Sequence, residues 1–246
     1  MRTIVIGDVH GCLNEFEELV GRLDPQPGDR LVSLGDLMDK GPDPVGCVRF
    51  ARSLAMEMVL GNHEEKHRRW WKHVDRGFRD LGYKNPMRPL KDEDQRANRG
   101  LSPEDVEFFN NLPSSINLTP GWVAVHGGLL PGLPFEKQPE RKMIRVRWVD
   151  DRGKMIALDP VSPFKPENGK EWTEVYDGSR SVVFGHAVHS LTDPYIVRRD
   201  TGVETWGIDT GVVYGGRLTA LVMETMEIVQ VEAKETYVQP PEWLHG

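Results

Sequence analysis

Apolar positions fall into two periods along this chain, and the changes of period mark its elements. "RTIVI" (2–6) is a short β-branched run stopped by Gly7, which predicts a buried strand. "LNEFEELVGRL" follows with Leu13, Phe16, Leu19, Val20 and Leu23 at helical spacing, so the first unit is strand, loop, helix. "DRLVSLGD" repeats the unit as a strand running into a polar loop. An amphipathic "PVGCVRFARSL" helix and the strand "MEMVL", ending at "GNHE", come next. Three strands therefore each end in a Gly-led polar loop. In an open parallel sheet such loops converge on a crevice at the carboxyl ends of the strands, where ligands bind.

Beyond "GNHE" the rhythm breaks. "HRRWWKHVDRGFRD" predicts a helix, "GYKNPMRPLKDEDQ" is irregular, and "SPEDVEFFNNL" predicts a helix N-capped by Ser102. Residues 66–120 accordingly read as a helical cap inserted into a single domain spanning 1–246. Strand-like "GWVAV" then runs into "HGG" and "SVVF" into "GHAVH", while "PYIVRRD", "VETWGID", "GRLTALVME" and "EIVQVEA" stand at hairpin spacing. An antiparallel second half is expected.

Composition narrows the function classes. The chain has 246 residues, 38% of them hydrophobic, enough for one large α/β core. A net charge of -7 argues against binding a nucleic-acid duplex, because backbone affinity needs clustered Lys and Arg. Only Cys12 and Cys47 are present, so a disulfide framework or structural zinc site is not expected and both read as buried thiols. No apolar stretch approaches the ~20 residues of a membrane helix, and no long apolar leader precedes the first strand; a soluble cytoplasmic protein is expected.

The charge is uneven. Residues 66–99 carry 11 Lys and Arg against 5 Asp and Glu, a local +6. This basic stretch follows directly on "GNHE" and would draw a polyanion toward whatever the strand-end loops hold. Trp70, Trp71 and Tyr83 lie among these charges, either as core or as a stacking platform for a purine. The alternative for the whole stretch is a solvated helical face.

The strand-end loops collect Asp8 and His10, Asp36 and Asp39, Asn62 and His63, His126, and His186. Carboxylate and imidazole donors without thiolates suit Mn, Fe, Ni or Zn in a catalytic rather than a closed structural site. Six candidate ligands from five loops exceed what an open mononuclear site uses, so two ions are expected, with a carboxylate able to bridge them. Such a pair activates water and clamps the oxygens of an in-line displacement at phosphorus. A proton donor for the leaving group is then needed, and His63 beside Asp39 is the natural pair.

"GDVHG", "GDLMDKGP", "GNHE", "HGG" and "GH", in this order over residues 7–186, resemble the phosphoprotein-phosphatase branch of the calcineurin-like metallophosphoesterases. The resemblance implies an α/β fold, a β-sandwich flanked by helices in four layers (α/β/β/α), with a two-metal centre at its rim. It implies that Asp8 and His10 bind the first metal and that Asp36 bridges. Asn62, His126 and His186 would complete the ligand set of the second metal, and Asn62 would also touch the substrate phosphate. His63 would be the general acid, oriented by Asp39. The ions would be Mn2+, with Fe, Ni, Co or Zn as alternatives.

Two departures from the family pattern stand out. Lys40 occupies the position of a phosphate-holding Arg, keeping the charge without the bidentate fork. "GIDTGVVYGGRLTAL" replaces the long C-terminal loop of the eukaryotic protein phosphatases, which is more similar to small bacterial members that hydrolyse diadenosine tetraphosphate (Ap4A). Some of those also act on phosphoproteins. A nucleotide polyphosphate is the first substrate expectation, a serine/threonine phosphoprotein the second, and a catalytically idle sensor the third.

Further residues are assigned singly. Arg147, in "MIRVRWVDD", is expected to supply a second phosphate-holding cation, the alternative being a salt bridge to Asp150 or Asp151. His67, His73 and His245 read as surface histidines, and His189 as structural or site-lining. Asp209 is expected either to support a ligating histidine or to close an Asx-turn.

Overall fold

The computed structural model describes residues 1–80, 82–157 and 166–241. In chain order the elements are β1 (Thr3–Ile6), α1 (Leu13–Leu23), β2 (Arg30–Ser33), α2 (Pro44–Ser53), β3 (Glu57–Met58) and α3 (Asn62–Arg79). Next come α4 (Asp92–Gly100), α5 (Pro103–Asn110), β4 (Ser115–Asn117), β5 (Trp122–Val125), α6 (Glu140–Met143), β6 (Trp148–Val149) and β7 (Met155–Ile156). The chain continues with β8 (Lys170–Glu171), α7 (Trp172–Val175), β9 (Ser181–Phe184), β10 (Tyr195–Arg198), β11 (Glu204–Gly207), β12 (Arg217–Val222) and β13 (Glu227–Glu232).

Two five-stranded sheets, ordered β13-β12-β1-β2-β3 and β10-β11-β9-β5-β4, form the centre. Alternation along single strands sets the layers, because successive side chains point to opposite faces. Ile4 and Ile6 of β1 pack outward with α1 and α2, against Phe16, Leu19 and Cys47. Val5 between them faces inward and meets Ala124, Val183 and Trp206 of the other sheet. Val123, Val125, Val182 and Phe184 cover the far face with Met143 of α6 and Trp172 of α7. Helix, sheet, sheet, helix is thus the four-layer α/β sandwich expected from sequence. Strands apolar on both faces lose the period-2 pattern, which is why "TIVI" and "SVVF" read as continuous runs.

Two expectations about strand direction need correcting. The first sheet is mixed: β1, β2 and β3 are parallel, but β12 is antiparallel to β1. In the second half, β10–β11 and β12–β13 are the expected antiparallel hairpins, yet β9 is parallel to both β5 and β11. The cause is the long connection from β5 to β9, which carries α6, α7 and the small sheet β7-β6-β8 over the outer face; parallel pairing needs such a crossover.

The helical stretch after β3 also has different bounds. "GNHE" is not loop but the first turn of α3, which starts at Asn62. At its far end, Ser115–Asn117 leave the helices and pair with β5 as an edge strand of the second sheet. Ser102 does cap α5, in a reciprocal capping box with Asp105. Among the described residues, no helix is long and apolar enough to cross a membrane.

Candidate metal centre

The strand-end loops are tied to one another before any ligand is considered. The N–H groups of Val9 and His10 donate to Asp36 O at 3.2 and 2.8 Å, and Gly41 N–H donates to His10 O at 2.8 Å. The first turn of α3 grips the same loop from the other side. His63 N–H donates to Asp36 Oδ1 at 3.0 Å, while Glu64 accepts from the N–H groups of Asp36 (2.9 Å) and Met38 (3.0 Å). Gly61 permits this approach, since a Cβ there would lie 2.4 Å from Asp36 N. Burial and the charge of Asp36 push the Glu64 carboxyl up to about 7.

Five site residues carry a cost in backbone conformation. His10, Asp36, Asp39, Lys40 and His186 all have φ between 47° and 69°, the left-handed region that costs a non-glycine residue roughly 1–2 kcal/mol. Folding alone favours glycine there. Such strain persists where the surroundings over-determine the conformation and the side chain has a task.

The donor atoms converge on Asp36. Its Oδ2 lies 3.3 Å from His126 Nε2, 3.6 Å from His10 Nε2 and 3.8 Å from His63 Nε2. Two sets of potential ligand atoms share this carboxylate, His10–Asp36–His63 and Asp36–His126–His186. His126 Nδ1 donates to Leu34 O at 2.8 Å and His10 Nδ1 to Met38 O at 3.0 Å. A carbonyl can only accept, so each Nδ1 carries a proton and each Nε2 points into the cluster. His126 Nε2 then meets Asn62 Oδ1 at 3.0 Å as well as Asp36 Oδ2. Both of those oxygens accept, so His126 Nε2 meets them either with a proton, which against burial the Asp36 charge favours by raising the His126 pKa, or across a cation. Lys40 Nζ already supplies one at His10 Nε2, 2.8 Å away.

Asp8 brings a further unshared oxygen. Its Oδ2 accepts from His186 N–H at 3.0 Å, but its buried Oδ1 has no hydrogen-bond partner among the described residues. A Cβ at Gly185 would lie 2.0 Å from that oxygen. Burial and the charges of Asp209 and Asp36 raise the Asp8 pKa well above the usual carboxylate range. Burial would raise Asp36 as well, yet the charges of His126 and His63 outweigh it and hold its pKa low. Burial, with Lys40 beside His10 and Arg147 beside His186, lowers both imidazoles well below their usual pKa. Deprotonated imidazoles and an orphaned carboxylate oxygen fit divalent metal ions.

Beside this cluster, His63 Nδ1 lies 2.5 Å from Asp39 Oδ2. Burial alone would raise Asp39; hydrogen bonds from His63 and His67 instead hold it far below the carboxylate range. Two cations face the cluster. Lys40 also lies 5.0 Å from the centre of the Tyr214 ring. Arg147 makes neither alternative salt bridge, since Asp150 closes a turn on the N–H groups of Arg152 and Lys154 and Asp151 pairs with Lys170. Its Nη2 donates to His186 O at 2.5 Å, and its buried Nε has no hydrogen-bond partner among the described residues.

The remaining assignments divide. Arg145 pairs with Glu65 at 2.7 Å. Asp209 takes the Asx-turn role, accepting from Gly211 N–H at 3.1 Å. His189 turns away from the site to Glu171, at 3.0 Å, and stacks on Tyr195. His73 bonds Tyr83 OH and stacks on that ring, which also carries Arg76. Trp71 lines a cavity of about 990 Å³ with Arg68, Arg69 and Phe78, whereas Trp70 is half-buried and lines none of it. His245 lies outside the described residues.

One assignment is overturned. His67, expected at the surface, is fully buried and donates from Nε2 to Asp39 Oδ1 at 2.7 Å. With α3 starting at Asn62, His67 is one turn beyond His63 on the same face. That i, i+4 spacing was visible in "HEEKH", but only a helix beginning at Asn62, five residues before the expected start at His67, gives it meaning. Glu64 and Tyr214 were likewise missed, because nothing local to either signals its distant partner.

Comparison with known proteins agrees with this geometry over most of the chain. Residues 1–190 match the family model described as calcineurin-like phosphoesterase. The asymmetrical bis(5'-nucleosyl)-tetraphosphatase PrpE of Oceanobacillus iheyensis is 25% identical over 97% of this chain and 95% of its own length. The symmetrical bis(5'-nucleosyl)-tetraphosphatase of Proteus mirabilis is 26% identical over 98% of each. A crystal structure described as that of a candidate diadenosine tetraphosphatase superposes with a TM-score of 0.73 at 27% identity, covering 94% of this chain and 93% of the other. With a family model matched over most of its length, this chain belongs to the calcineurin-like phosphoesterases.

Proposed function

We propose that the protein is a two-metal phosphohydrolase of diadenosine polyphosphates, with Ap4A as its substrate. The observation that carries the chemistry is the pair of ligand sets sharing Asp36. In this reading Asp8, His10 and Asp36 hold one ion, and Asp36, Asn62, His126 and His186 hold the second. The all-N/O donor set supports Mn2+, with Fe, Ni, Co or Zn as competitors. When bound, two such ions supply Lewis-acid activation of water and neutralise charge at phosphorus.

The chain's own groups do the rest. The guanidinium of Arg147 and the ammonium of Lys40 hold the phosphate oxygens, assisted by the Asn62 amide. His63 delivers a proton from Nε2 to the leaving oxygen, and Asp39 on Nδ1 stabilises the imidazolium that gives it. His63 also falls within one ligand set, but its Nδ1 bond to Asp39 supports the proton-donor role. The substrate rests on the full-length similarity to relatives named for bis(5'-nucleosyl) tetraphosphates. The basic stretch 66–99 suits a tetraphosphate.

Turnover of Ap4A by Mn-loaded protein, with nucleotide products separated by chromatography, tests the reading. Two ADP mean symmetrical cleavage, and ATP with AMP asymmetrical. Turnover of a phosphopeptide with none of Ap4A would replace the nucleotide with a phosphoprotein substrate. No metal-dependent turnover of either substrate or of an aryl phosphate would leave a sensor.

A further inference from the structure

Asp39 is held by more than His63. Its Oδ2 also lies 2.5 Å from Lys66 Nζ, and its Oδ1 accepts from His67 Nε2 at 2.7 Å. Behind His67 stands Asn98 of α4, whose Nδ2 lies 2.9 Å from His67 Nδ1. An amide nitrogen can only donate, so His67 Nδ1 is the lone pair and the ring proton is on Nε2, facing Asp39. The same helix supplies Asp94, which takes the Lys66 ammonium at 2.8 Å.

We propose that Asn98 and His67 form a positioning relay through which α4 sets the plane of the Asp39 carboxylate and thereby the Asp39–His63 pair. The inference rests on the general-acid reading of His63 and adds the residues that make it work. Asp39 sits at φ 69°, a conformation that the local chain does not favour and long-range bonds must hold. Lys66 competes with His63 for Oδ2. A donor fixed on Oδ1 stops the carboxylate rotating toward the ammonium, and Asp94 draws that ammonium away. Both relay residues are buried, His67 at 0% and Asn98 at 6% exposure. Neither touches the reacting atoms; both act through Asp39.

The test uses metal-loaded full-length protein and aryl phosphates of graded leaving-group acidity. A dinitrophenolate leaves without a proton, whereas a phenolate needs one. His63→Ala should therefore lose kcat heavily on phenyl phosphate and little on 2,4-dinitrophenyl phosphate. His67→Ala and Asn98→Asp should show the same selective loss, roughly 10- to 100-fold, with KM and metal content unchanged. Asn98→Asp puts an acceptor at Nδ1 and so moves the proton off the Asp39 side or charges the ring. His67→Gln, whose amide keeps a donor near Oδ1, should recover most of the rate. Equal losses across leaving groups, no loss, or no recovery by a folded His67→Gln would overturn the relay. A flat profile for His63→Ala would overturn the general-acid reading itself and the relay with it. Imidazole 15N NMR of the unmodified protein gives an independent answer: the Nε2–H tautomer of His67 is expected, and the Nδ1–H tautomer or an imidazolium refutes it.

Discussion

The strand-end platform and the helical segment above it make an instructive contrast. In the platform, Asp36, Asp39 and His126 are buried, and five residues hold left-handed backbones. Every such feature is cross-braced by another loop, as when Glu64 takes both the Asp36 and Met38 amides. The outer part of α3 is held by looser means: Arg69 to Glu65 at 3.7 Å, Arg68 to Glu140 at 3.2 Å, and Phe78 standing 83% exposed. Half-exposed ion pairs of that kind contribute little, about 0–1 kcal/mol. One region is over-determined to hold donors in place. The other carries few such constraints, except where Lys66, His67, Asp94 and Asn98 tie it to Asp39.

Substitutions can break this contrast in order of size. Asp36→Asn removes a charge shared by both ligand sets, and kcat should fall by more than about 10^3-fold with metal content reduced, as measured by elemental analysis. EDTA treatment should mimic it, with Mn restoring the unmodified protein only. Arg147→Lys keeps the charge but not the fork; a rise in KM of roughly 10- to 100-fold with metal retained is expected. Gly61→Ala forces a Cβ against Asp36 N and should cost about 1–3 kcal/mol, read as a lower Tm. Phe78→Ala, on the outer turns of α3, should change stability by less than about 0.5 kcal/mol and leave aryl-phosphate turnover as it was. A large loss of aryl-phosphate rate on Phe78→Ala would dissolve the distinction between the two regions.

Some of this was legible residue by residue. Leu13, Phe16, Leu19, Val20 and Leu23 announced α1, and four of the five are buried as their spacing requires. Ser102 announced the start of α5, and the structure adds Asp105 as its reciprocal partner. The direction of β9 was not legible, because pairing is decided by where a crossover runs and leaves no mark in a four-residue strand. His67 was misread for a related reason. A histidine in a basic stretch looks solvated until the helix phase and the partner 31 residues ahead, Asn98, are known.

The sequence by itself determined the family through its ordered motifs, and the layers of the sandwich through that resemblance, because motif order and spacing are properties of the chain alone. Only the tertiary structure decided which donors share Asp36, which nitrogen of each histidine points into the cluster, and which second histidine holds Asp39. Those depend on carbonyls and amides brought from tens of residues away. A tautomer is set by the group it faces, not by its neighbours in sequence.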